Sequence, residues 1–159
     1  MPAVAIVAAN HVSFTVSDVL RTAVFFEEAF GLVRLSIGPR DPNAIRIVTG
    51  VAEADILVAY LQAPNIRIEL VQYVLPKERA VYRPRPCDLG FSHLAFDVAQ
   101  FETVIAQAAK YGALPVGGIA TIDRGPNRGC QVVYLRDPDG ITIELMGRLS
   151  GKPDSPAVR

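Results

Sequence analysis

Two strings in this sequence are nearly identical: IRIELV at 66–71 and ITIELM at 141–146. A duplicated unit has to fold the same way twice, and this constrains the chain more than any composition value. The match extends upstream. His11 opens HVSFTV, where Val12, Phe14 and Val16 share one strand face and His11, Ser13 and Thr15 share the other. A helix is expected from there to Phe30. Ser17 or Asp18 can cap it, Val19, Ala23, Phe26 and Phe30 form its apolar stripe, and Gly31 stops it. His93 opens HLAFDV, with Leu94, Phe96 and Val98 on one face. The helix expected over 99–111 carries Phe101, Val104, Ile105 and Ala108 and stops at Gly112.

Each helix leads into three expected strands. In the first half these are 32–37, 45–60 with a break near Gly50, and 66–73. In the second half they are 114–122, 130–136 and 141–146. The spacing from His11 to Glu69 is 58 positions and from His93 to Glu144 it is 51, so one loop differs by seven residues. The organisation is therefore a first βαβββ module at 8–74, a proline-rich linker at 75–89, a second module at 90–147 and a flexible tail at 148–159. The expected fold is α+β, with the two tandem modules pairing into a cupped mixed sheet. A four-stranded sheet with one helix leaves one face uncovered, and two such faces can close around a cavity.

Composition removes several function classes. Sixteen basic and sixteen acidic residues cancel, so nothing favours nucleic acid or an anionic membrane surface. The apolar runs are too short to span a bilayer, and MPAVAIVAAN lacks the basic region of a signal peptide. Cys87 and Cys130 have no metal-binding spacing to each other and form no disulfide framework, so a cytoplasmic protein with two incidental thiols is expected.

His11 and His93 are the only histidines in the chain. Both lie opposite the apolar faces of their strands. Glu69 lies opposite Ile66, Ile68 and Leu70, and Glu144 lies opposite Ile141, Ile143 and Leu145. Two imidazoles and two carboxylates related by a repeat can converge on its pseudo-twofold axis. That donor set suits a first-row divalent ion, and Zn, Ni, Co, Mn and Fe(II) are all compatible with it. Taken alone, a histidine on a strand is most often a hydrogen-bonded structural residue, and a glutamate on a polar strand face is most often simply solvated. What favours the metal site is that both histidines and a duplicated IEL string occupy equivalent positions.

NHVSFTVSD, IRIELV, GFSHLAFDV and VVYLRDPDGITIELM together resemble the vicinal oxygen chelate superfamily. This group includes glyoxalase I, methylmalonyl-CoA epimerase, extradiol dioxygenases, and fosfomycin and bleomycin resistance proteins. The resemblance covers about residues 8–147. Tyr134, Asp137, Pro138, Gly140 and Glu144 follow the superfamily's Tyr-x-x-Asp-Pro-x-Gly-x-x-x-Glu signature. It implies paired βαβββ modules and His11, Glu69, His93 and Glu144 as metal ligands. The Asp-Pro-Asp-Gly string itself reads as a turn that aims Glu144, with Gly140 at positive φ.

Within the superfamily the expected activity is that of a glyoxalase-type lyase or isomerase. In this chemistry a divalent ion polarises a carbonyl and stabilises the enediolate or enolate left when the adjacent carbon loses its proton. Glu144 and Glu69 are the candidate bases, with Glu144 favoured. The alternatives are a methylmalonyl-CoA epimerase-like enzyme, a dioxygenase-like enzyme, and a drug-binding or thiol-transferase resistance protein. The extradiol pattern is incomplete, because DRGPNRGCQVV at 123–133 lacks that group's second histidine. Glutathione-dependent glyoxalases typically follow the first glutamate with a Thr-His-Asn type string, whereas here Leu70, Val71, Gln72 and Tyr73 follow it. The expected substrate is a small carbonyl compound or thioester, with Arg124, Arg128 and Tyr134 as candidate contacts. Exposed sheet edges favour a homodimer.

Overall fold

The computed structural model describes residues 5–148; most of the expected tail, 149–159, lies outside the described residues. The chain divides into two compact units at Val81/Tyr82, inside the proline-rich segment. The fold class is α+β, built from two mixed sheets on the βαβββ plan.

The first unit contains β1 (Val12–Thr15), α1 (Val19–Phe30), β2 (Val33–Pro39), α2 (Pro42–Thr49), β3 (Asp55–Gln62) and β4 (Arg67–Leu75). Its sheet order is β1-β4-β3-β2, with β1 parallel to β4 and the other pairs antiparallel. Of the two candidate caps for α1, Asp18 is the one that acts: its Oδ1 accepts from the backbone N–H groups of Leu20 and Arg21, each at 3.0 Å. Gly31, at φ 71°, ends the helix in the left-handed conformation. α1 packs on β3 and β4. Val19, Ala23 and Phe26 of the helix are buried, as are Val58, Leu61, Ile68 and Leu70 of the strands. Burying each large apolar side chain of this set stabilises the module by about 1.5–3 kcal/mol. Gln72 has the opposite parity to Glu69, and its Oε1 accepts from the Val19 N–H at 2.9 Å, which ties the start of α1 to β4.

One expectation fails in this unit. Residues 45–49, expected as the start of a strand, belong to helix α2. Asp41 caps it by accepting from the Asn43 N–H at 3.0 Å, Pro42 supplies a preset φ in the first turn, and Gly50 closes it at φ 69°. These start and stop signals outweigh the β-branched content of IRIVT.

The second unit contains β5 (Leu94–Val98), α3 (Phe101–Ala109), β6 (Leu114–Pro115), β7 (Ala120–Thr121), β8 (Cys130–Arg136) and β9 (Thr142–Arg148). β5 runs parallel to β9, and β8 is antiparallel to β9, β6 and β7. The strand expected over 114–122 is broken into β6 and β7, because Pro115 and the Gly117–Gly118 pair interrupt the ladder. The turn at 137–140 forms as its sequence indicates. Gly140 has φ 93°, its N–H donates to the Asp137 carbonyl at 3.1 Å, and Oδ1 of Asp137 accepts from the Ile141 N–H at 2.8 Å. Ile143 and Leu145 point into the core beside Leu135, which leaves Glu144 on the opposite face.

Candidate functional site

In each module the first and last strands are parallel neighbours, and this brings histidine and glutamate together. Ser13 stands beside Glu69 and Ala95 beside Glu144 in the β1–β4 and β5–β9 ladders. His11 and His93 lie two residues before Ser13 and Ala95 and share their face. Nε2 of His11 lies 3.4 Å from Oε2 of Glu69, and Nε2 of His93 lies 3.0 Å from Oε2 of Glu144. In both pairs the histidine side chain is 33% exposed and the glutamate 17%. The repeat thus reproduces the pairing and the exposure of the two pairs. Among the described residues, no group of three or more His, Cys, Asp and Glu side chains is gathered closely enough to hold a metal ion. What the structure assembles is one His–Glu pair per module.

The donor chemistry of each pair fits a divalent cation. Ligands bound at about 2.1 Å stand about 3.0 Å apart in an octahedral site and about 3.4 Å apart in a tetrahedral one. The two pairs have these spacings. In the first module the imidazole is also oriented. Nδ1 of His11 lies 2.8 Å from Oδ1 of Asn10. An amide oxygen only accepts, so Nδ1 donates to it, and Nε2 is the nitrogen turned toward Glu69. A ring nitrogen and a carboxylate oxygen turned toward each other can share a cation when Nε2 is unprotonated.

Each pair has a tyrosine beside it. Tyr60 stands opposite Glu69 in the β3–β4 ladder, and Tyr134 stands opposite Glu144 in the β8–β9 ladder. The Tyr60 hydroxyl donates to Oε1 of Glu69 at 2.5 Å. That bond, more than burial, raises the Tyr60 phenol above its ordinary pKa. The Tyr134 ring lies 5.0 Å from the His93 ring, with Phe91 5.9 Å away on the same imidazole. Burial first, and then the charge of Glu144, raise the Tyr134 phenol. The guanidinium groups of Arg40 and Arg67 lie 5.5 Å and 6.0 Å from the Tyr60 ring centre.

The arginines singled out in the sequence lie elsewhere in the second module, in the segment between β7 and β8. Arg124 is 91% exposed and pairs with Asp123 at 3.3 Å. Sequence reasoning missed Asn10, Tyr60 and Phe91. A signal for Tyr60 existed: it precedes Glu69 by nine positions, much as Tyr134 precedes Glu144 by ten.

Comparison with known proteins agrees with this plan. Residues 8–145 match the family model of the Glyoxalase/Bleomycin resistance protein/Dioxygenase superfamily. The chain is 32% identical over 154 residues to a 2-epi-5-epi-valiolone epimerase of Actinomyces sp., covering 92% of this chain and 82% of that protein. Among solved structures it is similar to a glyoxalase family protein of Bacillus cereus, with a TM-score of 0.81, 25% identity, and coverage of 94% of this chain and 99% of that one. It also shares its fold with the fosfomycin resistance protein FosX of Listeria monocytogenes, solved as a mutant with Mn(II) and 1S,2S-dihydroxypropylphosphonic acid. That match has a TM-score of 0.59, 14% identity, and coverage of 92% and 94%.

Proposed function

This chain belongs to the glyoxalase/bleomycin resistance protein/dioxygenase superfamily, and from that premise we propose that it is a metal-dependent isomerase or lyase that moves a proton at a carbon next to a carbonyl. The observation that carries the reading is the duplicated His–Glu pair, matched in spacing and exposure between the two modules. His11, Glu69, His93 and Glu144 are the proposed ligands of one divalent ion of the Zn, Ni, Co, Mn or Fe(II) class. When bound, such an ion supplies a Lewis acid for the substrate's carbonyl oxygen.

The remaining chemistry belongs to the side chains. A carboxylate of the site, Glu144 or Glu69, takes the proton from the carbon beside the carbonyl, and the C–H electron pair moves toward the carbonyl oxygen. If the proton returns to the opposite face, the centre is inverted. If it returns to the neighbouring carbon, the product is an isomer. Similarity to an epimerase named for a valiolone supports the first outcome and a small hydroxylated ketone as substrate. Tyr134 is the proposed substrate contact beside the second pair, a reading supported by its ring lying 5.0 Å from that of His93. A homodimer belongs to the same proposal: β2 is an outer strand of its sheet, with Val33, Leu35 and Ile37 exposed along it.

The test has two steps. Metal content is measured on protein purified without chelator or nickel resin, beside His93→Ala. The metal-loaded protein is then incubated in D2O with 2-hydroxy ketones, hemithioacetals and acyl-CoA thioesters, and deuterium entry beside the carbonyl is followed by NMR. The expected result is near-stoichiometric metal that His93→Ala loses, with deuterium entering one of the three classes. Protein that neither carries nor takes up a divalent ion would overturn the reading.

A further inference from the structure

The two His–Glu pairs match in exposure, but their surroundings differ at the tyrosine that stands across the ladder from each glutamate. Both oxygens of Glu69 are engaged. Oε2 faces His11 at 3.4 Å, and Oε1 accepts from the Tyr60 hydroxyl at 2.5 Å. Tyr60 is itself braced. Its ring lies within cation–π distance of two guanidinium groups, that of Arg40 next to the end of β2 and that of Arg67 on β4. β2 and β4 flank the strand that carries Tyr60, so the two cations reach it from neighbouring strands on either side. The His11 ring is in turn held from behind by Asn10.

The equivalent positions in the second module do not repeat this. Tyr134 occupies the place of Tyr60, directly across the ladder from Glu144. Its ring instead lies against His93, and among the described residues no hydrogen bond joins its hydroxyl to Glu144. Thr142 stands where Arg67 stands in the first module, two residues before the glutamate, and Thr142 is buried. Oε2 of Glu144 faces His93 at 3.0 Å, while Oε1 has no phenol holding it.

We propose that Tyr60 is a positioning residue that fixes Glu69 in the orientation of a carboxylate ligand. This rests on the metal-dependent reading above and deepens it. A carboxylate held at both oxygens has one rotamer and a lone pair already committed to a donor, which suits a ligand. Outer partners of ligands such as Tyr60 typically change metal affinity by about 10- to 100-fold when removed.

The experiment is a set of Mn(II) titrations of the full chain, followed by the EPR signal of free Mn(II), which needs no substrate. Tyr60→Phe keeps the ring between the two arginines and removes only the hydroxyl. It is expected to weaken Mn(II) binding about tenfold or more. In a Glu69→Gln background the same change should have no further effect, because the hydroxyl acts through that carboxylate. Tyr134→Phe should stay within about twofold of wild type, and Glu144→Gln should keep more Mn(II) affinity than Glu69→Gln. Thermal unfolding of each variant separates loss of affinity from loss of fold. Wild-type affinity in Tyr60→Phe, or equal losses in Tyr60→Phe and Tyr134→Phe, would overturn the positioning role while leaving the metal site standing. Failure of the wild type to bind Mn(II) or any other first-row divalent ion would overturn the functional reading, and the positioning role with it.

Discussion

Asp137 shows how a residue remote from the chemistry controls it. Its side chain is 3% exposed, and its Oδ1 holds the Ile141 N–H at 2.8 Å, three residues before Glu144. Removing the carboxylate leaves a buried backbone donor unpaired at the turn that fixes the start of β9. Asp137→Ala is therefore expected to destabilise the fold by about 1–3 kcal/mol in urea denaturation, and to weaken Mn(II) binding by loosening the hairpin that aims Glu144. Wild-type stability would show that the turn is held by its backbone alone. The same scale shows what the sequence revealed and what it hid. His11, Glu69, His93 and Glu144 were legible because strand alternation fixes which face a side chain takes, and the repeat supplies an internal control. Asp137 was legible because Asp-Pro-Asp-Gly has few ways to turn. Tyr60 and Asn10 were not. The role of Tyr60 depends on which residue of β3 stands opposite Glu69, a matter of hairpin register, and the role of Asn10 depends on a rotamer. The offset of Tyr60 from Glu69, close to that of Tyr134 from Glu144, is the one trace of its role in the sequence, and Asn10 leaves none.

At the scale of elements, the legible helices were those whose apolar stripe is buried. α1 and α3 follow the periodicity of Val19, Ala23 and Phe26, and of Phe101 and Ala108. α2 was misread because it has no buried face to announce it: none of its eight residues is buried, and Ile47 and Val48 are 83% and 81% exposed. An eight-residue helix without a packed stripe depends on its ends, because isolated helices of this length are marginal in water. Here the ends are Asp41, Pro42 and Gly50. Asp41→Ala removes the cap bond, worth about 1 kcal/mol, and is expected to bring amide exchange across 43–50 close to unprotected rates. The amides of α1 and β4, whose cores are independent of α2, should keep their protection. Uniform loss of protection through the first module would show that α2 is part of that core instead.

For the whole molecule, the duplication that made the fold readable also sets what the proposed site asks of each module. Each has its own core, with Phe26, Leu61, Ile68 and Leu70 in the first and Leu135, Ile143 and Leu145 in the second. Each supplies one His–Glu pair, which is half of the proposed ligand set. An ion that takes ligands from both modules binds only when both are folded, and its binding free energy then stabilises both. At free Mn(II) one hundred times the dissociation constant, that stabilisation is about 2.7 kcal/mol. Calorimetric unfolding without and with Mn(II) is expected to show the whole endotherm move upward, including any part assignable to a single module, and chelation should return it. His11→Ala and His93→Ala lie in different modules, yet each should sharply reduce the shift for both, because losing either imidazole breaks one pair and leaves three of the four proposed ligands. If only one module's transition moves, or if the shift survives undiminished in either variant, one His–Glu pair suffices to hold the ion and the duplicated site is two half-sites that act separately.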